Sequence, residues 1–81
     1  MTRKEILQAC KEGKDLYGVD LSKAILNGAD LRNAVLSGVD LTGANLSRAH
    51  LRDADLSDSI LTGADLTDAN LSSADLSRAD V

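Results

Sequence analysis

Eighty-one residues with one aromatic side chain, Tyr17, and no proline, phenylalanine or tryptophan make one small domain at most, short of the bulky groups that fill an ordinary compact core. The formal charge of −4 is divided: residues 1–14 carry four bases against two acids (+2), and residues 15–81 eleven aspartates against five bases (−6). An acidic body excludes nucleic acid and anionic membrane as expected partners, the lone Cys10 excludes an internal disulfide or a thiolate metal site, and no apolar run reaches the length of a signal core or membrane span.

The first segment reads as a helix. Thr2 and Glu5 have the spacing of a capping box, Ile6, Leu7, Ala9 and Cys10 form one apolar stripe, and Gly13 is a natural stop. The expected helix covers residues 3–12 within an amino-terminal capping segment, 1–13. About ten residues do not hold a helix alone in water, so the stripe needs a seat. The first layer of whatever follows supplies one, with Cys10 as a small hydrophobe there.

From Lys14 onward the chain repeats. Leucine returns at every fifth position from Leu16 to Leu76, and Val81 takes the next place. Alanine usually stands two residues before it and Asp or Asn one before, with Ser, Thr or Arg after. A period of five matches neither the 3.6 of a helix nor the 2 of a strand. In an extended stretch the Leu and the Ala two before it share a face, so both point inward and the chain must turn once per repeat. Gly18, Gly28, Gly38, Gly43 and Gly63 mark the corner, two after the Leu, and Asn33, Asp53, Asp58 and Asp68 fill the same place. These types tolerate positive φ. Lys23, Arg48, Ser73 and Arg78 also fall there, so not every corner need have that geometry. One right-angled corner per repeat closes a square after four repeats, and the echo of Gly18-Val19-Asp20-Leu21 in Gly38-Val39-Asp40-Leu41 gives the same twenty-residue coil. Just over three coils make a rod of roughly 16 Å at the ladder spacing.

Frames such as Ala29-Asp30-Leu31-Arg32-Asn33 and Ala64-Asp65-Leu66-Thr67-Asp68 resemble the pentapeptide-repeat proteins over residues 14–81. The resemblance implies an all-β solenoid, a right-handed quadrilateral β-helix. It also implies one specific activity, since some members resemble DNA and bind type II topoisomerases such as gyrase. Those members carry Phe at many central positions, with longer rods, projecting loops and a terminal dimerisation helix; this chain has no Phe.

No nucleophile–base pair, phosphate loop or metal-ligand spacing occurs, so the reading is no enzyme, no catalytic residue, no cofactor and no metal. His50 stands alone as a solvated side chain, and Arg32 and Arg52 fall in one column as a solvated ladder. Ile25, Val35 and Ile60 replace the usual Asp or Asn on three different faces. An acidic interaction face is expected over Asp15, Asp20, Asp40, Asp55, Asp58, Asp75 and Asp80; the net −6 of residues 15–81 along the rod is about one charge per 2.7 Å, against about 1.7 Å in duplex DNA. The same aspartates have a purely structural use as hydrogen-bond acceptors at the corners. At the far end Leu66, Leu71, Leu76 and Val81 have no covering segment, so an end-to-end homodimer through the last coil is expected. The functional expectation is a scaffold or protein-interaction module in the cytoplasm. A gyrase-binding DNA mimic and a designed or truncated repeat scaffold are the alternatives.

Overall fold

The computed structural model describes residues 1–81. It contains one helix, α1 (Arg3–Lys11), followed by a coil of short turns. Thr2 Oγ1 accepts from the Glu5 N–H at 3.1 Å while Glu5 Oε1 accepts from the Thr2 N–H at 2.7 Å, the reciprocal capping box. The helix stops one residue before the expected end, with Glu12 as its C-cap. Gly13, at φ +69°, donates to the Cys10 carbonyl, and Lys14 donates to the Ala9 carbonyl. This double closure is a Schellman motif, and it requires the left-handed backbone that glycine accepts at least cost. Ile6 and Ala9 are buried, and Leu7 and Cys10 lie half-buried against the core.

Every β-bridge joins residues twenty apart in parallel, from Asp20–Asp40 to Ile60–Asp80. Four repeats therefore make one coil. The bridges are isolated single pairs and no segment runs long enough to be a strand, because five residues that must include a corner leave no room for one. At each corner the N–H of the residue three after the central Leu returns to that Leu's carbonyl, as in Ala44 to Leu41 at 3.0 Å. The third corner residue has positive φ and the second does not, the signature of a type II turn.

This geometry holds at all thirteen corners, eight of them occupied by residues other than glycine. Lys23, Arg48, Ser73 and Arg78, whose corners the sequence leaves open, share it, with φ values of 61°, 58°, 60° and 58°. From Gly18 to Asp58 each turn is clamped by a bond from its third residue to the next coil, as in Lys23 N–H to the Thr42 carbonyl at 2.8 Å, and the turns at Gly63, Asp68, Ser73 and Arg78 keep the same geometry without that bond. The closure of the coil imposes the conformation whatever the side chain, at a strain of about 1–2 kcal/mol for a residue bearing a Cβ.

Ten successive leucines, Leu16 to Leu61, are buried, and Ala29, Ala34, Ala44, Ala49 and Ala54 fill the spaces between them. Ser59 takes an alanine position and is 1% exposed, its hydroxyl donating to the Leu56 carbonyl at 2.6 Å. With α1 seated on the first coil, the principal extents are 24 × 23 × 22 Å. The molecule is a squat block, not the rod that the coil count alone suggests.

Candidate functional site

The repeat leaves little polar chemistry uncommitted. In the repeat centred on Leu41, the Leu41 N–H goes to the Ile60 carbonyl, Gly43 to Thr62, Ala44 to Leu41, and Asn45 to Ala24. Four of five backbone donors are thus consumed by ladder and turn. The fifth, on Thr42, has no backbone acceptor within reach, and Asp40 Oδ1 supplies one at 3.0 Å. The Thr42 hydroxyl adds a second bond to the same oxygen at 2.6 Å. Asp15, Asp20, Asp30, Asn45, Asp55, Asp65, Asn70 and Asp75 accept in the same way from the amide two residues on. The Asp/Asn position is therefore the acceptor of an Asx turn. Its partner explains the Ser/Thr that so often follows the Leu.

These bonds tune the acids. The Thr67 hydroxyl and amide hold the Asp65 carboxyl below its usual range, and the Ser77 hydroxyl and amide do the same for Asp75. Arg32 grips Asp30 with two 2.8 Å bonds from Nε and Nη2 and depresses it furthest. Asp58 is different, a corner residue held low by Arg78, whose Nε and Nη2 lie 2.8 and 3.2 Å from its oxygens.

Of the seven acids expected to form a face, Asp15, Asp20, Asp40, Asp55 and Asp75 each commit one oxygen to a corner, and Asp58 is ion-paired. Asp80 bridges Ile60. Ile60 separates Asp40 from Asp80 in one column, and Val35 stands over Asp55 and Asp75 in another, so neither acidic column is continuous. Arg32 and Arg52 do not form a joint cationic ladder: Arg32 pairs with Asp30, and Arg52 Nε reaches Asp53 at 3.5 Å. His50 is exposed between Asp30 and Asn70. Nowhere do three His, Cys, Asp or Glu side chains converge. Burial raises the Cys10 thiol above its ordinary pKa, which disfavours the reactive thiolate.

Three shallow grooves border α1. One, of about 390 Å³, is lined by Met1, Arg3, Ile6, Ser22, Lys23 and Ile25 among others. The second, of about 540 Å³, includes Leu7, Cys10, Lys11 and Asp30 with its Arg32 partner. Arg3 Nη1 crosses the first groove to donate to the Ile25 carbonyl at 3.1 Å, a bond across 22 residues that nothing in the sequence pattern announces. Tyr17 is 67% exposed, and its ring lies over Gly38 so closely that a Cβ there would sit 2.4 Å from Cε2.

The two ends differ sharply. α1 covers the first coil, leaving Leu16 and Leu21 buried. At the other end Leu66 and Leu71 are half-buried, Leu76 is 38% exposed and Val81 81% exposed. The four residues do gather in one layer, as their spacing implies.

The model of the family described as pentapeptide repeats matches residues 15–53 and 49–81, in eight copies. The chain belongs to the pentapeptide-repeat family. Two solved structures share 39% identity over 83% of the chain: the pentapeptide repeat protein Rfr23 of the cyanobacterium Cyanothece 51142, with a TM-score of 0.67, and a pentapeptide repeat protein of the Arabidopsis thaliana thylakoid lumen, with a TM-score of 0.59. The chain spans 52% of the first and 50% of the second. No curated protein matches at a significant level. The likeness to known pentapeptide-repeat β-helices agrees with the twenty-residue coil seen here. No helix is long and apolar enough to cross a membrane.

Proposed function

We propose that this pentapeptide-repeat chain is a right-handed, non-enzymatic β-helical scaffold, and that its contact surface is the layer of Leu66, Leu71, Leu76 and Val81. The observation that carries the scaffold reading is the stack of twenty-residue coils around ten buried leucines. The flanks are poor competitors, since most of their acidic side chains already serve corners or ion pairs. An end-to-end homodimer around a two-fold axis is the occupant that the sequence suggests for this layer. Cytoplasm is the compartment we propose; the lumenal origin of one relative makes fractionation of the native host the direct check.

The test is comparative capture of partners by the wild type, Leu76→Lys, and a variant with Asp20 and Asp40 changed to Asn. Loss of capture by Leu76→Lys alone supports the end layer. Loss by the Asn variant alone transfers the function to the acidic flank, and inhibition of gyrase supercoiling by the wild type replaces the reading with DNA mimicry.

A further inference from the structure

Four asparagines stand in the chain, and one of them, Asn27, is followed by glycine. An Asn–Gly pair carries its own chemistry: no Cβ shields the glycine nitrogen, and the carboxamide carbon beside it is one five-membered ring away. The other three asparagines are placed differently. Asn45 and Asn70 spend their side-chain oxygens on corner bonds and precede leucine. Asn33 precedes Ala34, whose N–H is tied back to the Leu31 carbonyl at 3.1 Å. Asn27 and Gly28 are both exposed, and a Cβ at Gly28 would meet nothing within 4 Å. Their corner is also thinly bonded. Ile25 stands where an Asx acceptor would serve the Asn27 N–H, and that N–H makes no backbone bond. The Asn27 carbonyl receives no backbone donor either. The peptide between residues 27 and 28 is therefore held to the stack by one bond, from the Gly28 N–H to the Ser47 carbonyl at 2.8 Å. The equivalent peptide one coil on has two: the Ser47 carbonyl receives that bond, and the Arg48 N–H donates to the Thr67 carbonyl at 2.8 Å.

We propose that Asn27–Gly28 is a self-modification site, closed while the Gly28–Ser47 bond holds and converted to isoaspartate when that corner opens. The nucleophile is the Gly28 nitrogen. Once the ladder bond is broken it gives its proton to solvent hydroxide and attacks Asn27 Cγ. The new C–N bond closes a succinimide, and the carboxamide nitrogen leaves as ammonia with a proton from water. A second water then adds to one of the two ring carbonyls. Addition at the Asn27 backbone carbonyl leaves the chain running through Cγ, an isoaspartate with one extra carbon in the main chain; addition at Cγ leaves ordinary aspartate. Water is the only co-reactant. The folded corner opposes the first step, because a nitrogen whose proton is held by the Ser47 carbonyl cannot turn onto its neighbour's side chain. Local opening, cheapest where bonds are few and exposed, therefore sets the rate. Isoaspartate makes the opening permanent: the extra carbon lengthens the turn that the Ala29 N–H closes on the Leu26 carbonyl at 3.1 Å, and it takes Gly28 out of line with Ser47.

The test incubates the whole protein at mildly alkaline pH, folded and in urea. Ammonia release, the one-dalton mass gain and the isoaspartate content of the peptide carrying residue 27 follow the reaction. The expected result is conversion at Asn27 ahead of the other three asparagines, at least tenfold slower in the folded protein than in urea. Ile25→Asn gives the Asn27 N–H the acceptor it lacks. It should slow conversion in the folded protein at least threefold and leave the rate in urea unchanged. Equal rates in the folded protein and in urea would mean that the ladder bond does not close the site, and overturn the proposal. Conversion in the folded protein that Ile25→Asn leaves unchanged overturns it as well, as does an Asn27 that stays intact there for as long as Asn33.

Discussion

Asn45 offers the cleanest measurement of what the residue before the central Leu contributes, because it is neutral and partly buried and its column neighbours are known. Its Oδ1 accepts from the Ser47 N–H at 3.1 Å and from the Ser47 hydroxyl at 2.7 Å. Asn45→Ala removes both bonds and leaves the one amide of that corner that neither ladder nor turn can satisfy. At about 0.5–1.5 kcal/mol per bond, with the hydroxyl free to turn to water, the expected loss is about 1–2 kcal/mol. For a domain of this size that lowers the melting point by roughly 5–15 °C. Asn45→Asp restores an acceptor at the same place and should recover most of the loss at neutral pH, while Ser47→Ala should show only the smaller hydroxyl share. Thermal melts followed by circular dichroism, with chemical denaturation for the free energies, measure all three. An Asn45→Ala melting point equal to that of the wild type, or one that Asn45→Asp does not rescue, would refute the acceptor role and leave the Asp/Asn preference unexplained.

Other outcomes follow from the same geometry. Gly28→Ala meets no atom within 4 Å but keeps φ at +67°, so it should cost about 1 kcal/mol; Gly38→Val, which must also displace the Tyr17 ring, should cost more, and equal melting points for the two would contradict the packing of that ring. Ile6→Ala opens a cavity under the lid at a residue only 1% exposed and should cost about 2–5 kcal/mol, whereas an unchanged melting point would make α1 an appendage. Acid should destabilise the protein in a defined direction. The carboxyls of Asp30, Asp58, Asp65 and Asp75 titrate below their ordinary value in the folded state, so their contribution is complete above the unfolded carboxylate value of about 3.9 and fades as pH falls through the lower folded values. A melting point independent of pH from 5 to 2 would argue against these bonds. Ser59→Ala, which installs the alanine found at most equivalent positions, should change stability by less than about 1 kcal/mol, with the Leu56 carbonyl still held by the residue 59 amide.

Much of this architecture is legible in the sequence because one short rule is written thirteen times. The five-residue period, the inward Leu and Ala, the capping box at Thr2 and Glu5 and the stop at Gly13 are all local patterns, and each appears where its spacing places it. The corner role of the aspartates was likewise readable, because Asp and Asn bond to the backbone two residues on wherever they fall in turns. What escaped is set by the stack and not by the repeat. Left-handed backbone at Lys23 and Arg48 contradicts their own preference and comes from the closure of the coil, since Ser73 and Arg78 adopt it without a ladder bond to a further coil. The Arg3–Ile25 bond and the Tyr17–Gly38 contact each join residues about twenty apart, and neither has a neighbour in sequence to betray it.

The twenty-residue interval between bridged partners also makes the surface behave like a dial. Inserting or removing one five-residue repeat in the middle of the coil would leave every inward leucine inward and every corner a corner, yet it would turn all downstream side chains a quarter of the way around the molecule. Arg78 would no longer stand below Asp58, although the core around Leu56 would be unaltered. Only changes of four repeats at a time preserve both. Length variation in such a chain is therefore cheap for folding and drastic for recognition. A lineage can present a new arrangement of charges to its partners by counting repeats, with no substitution at all.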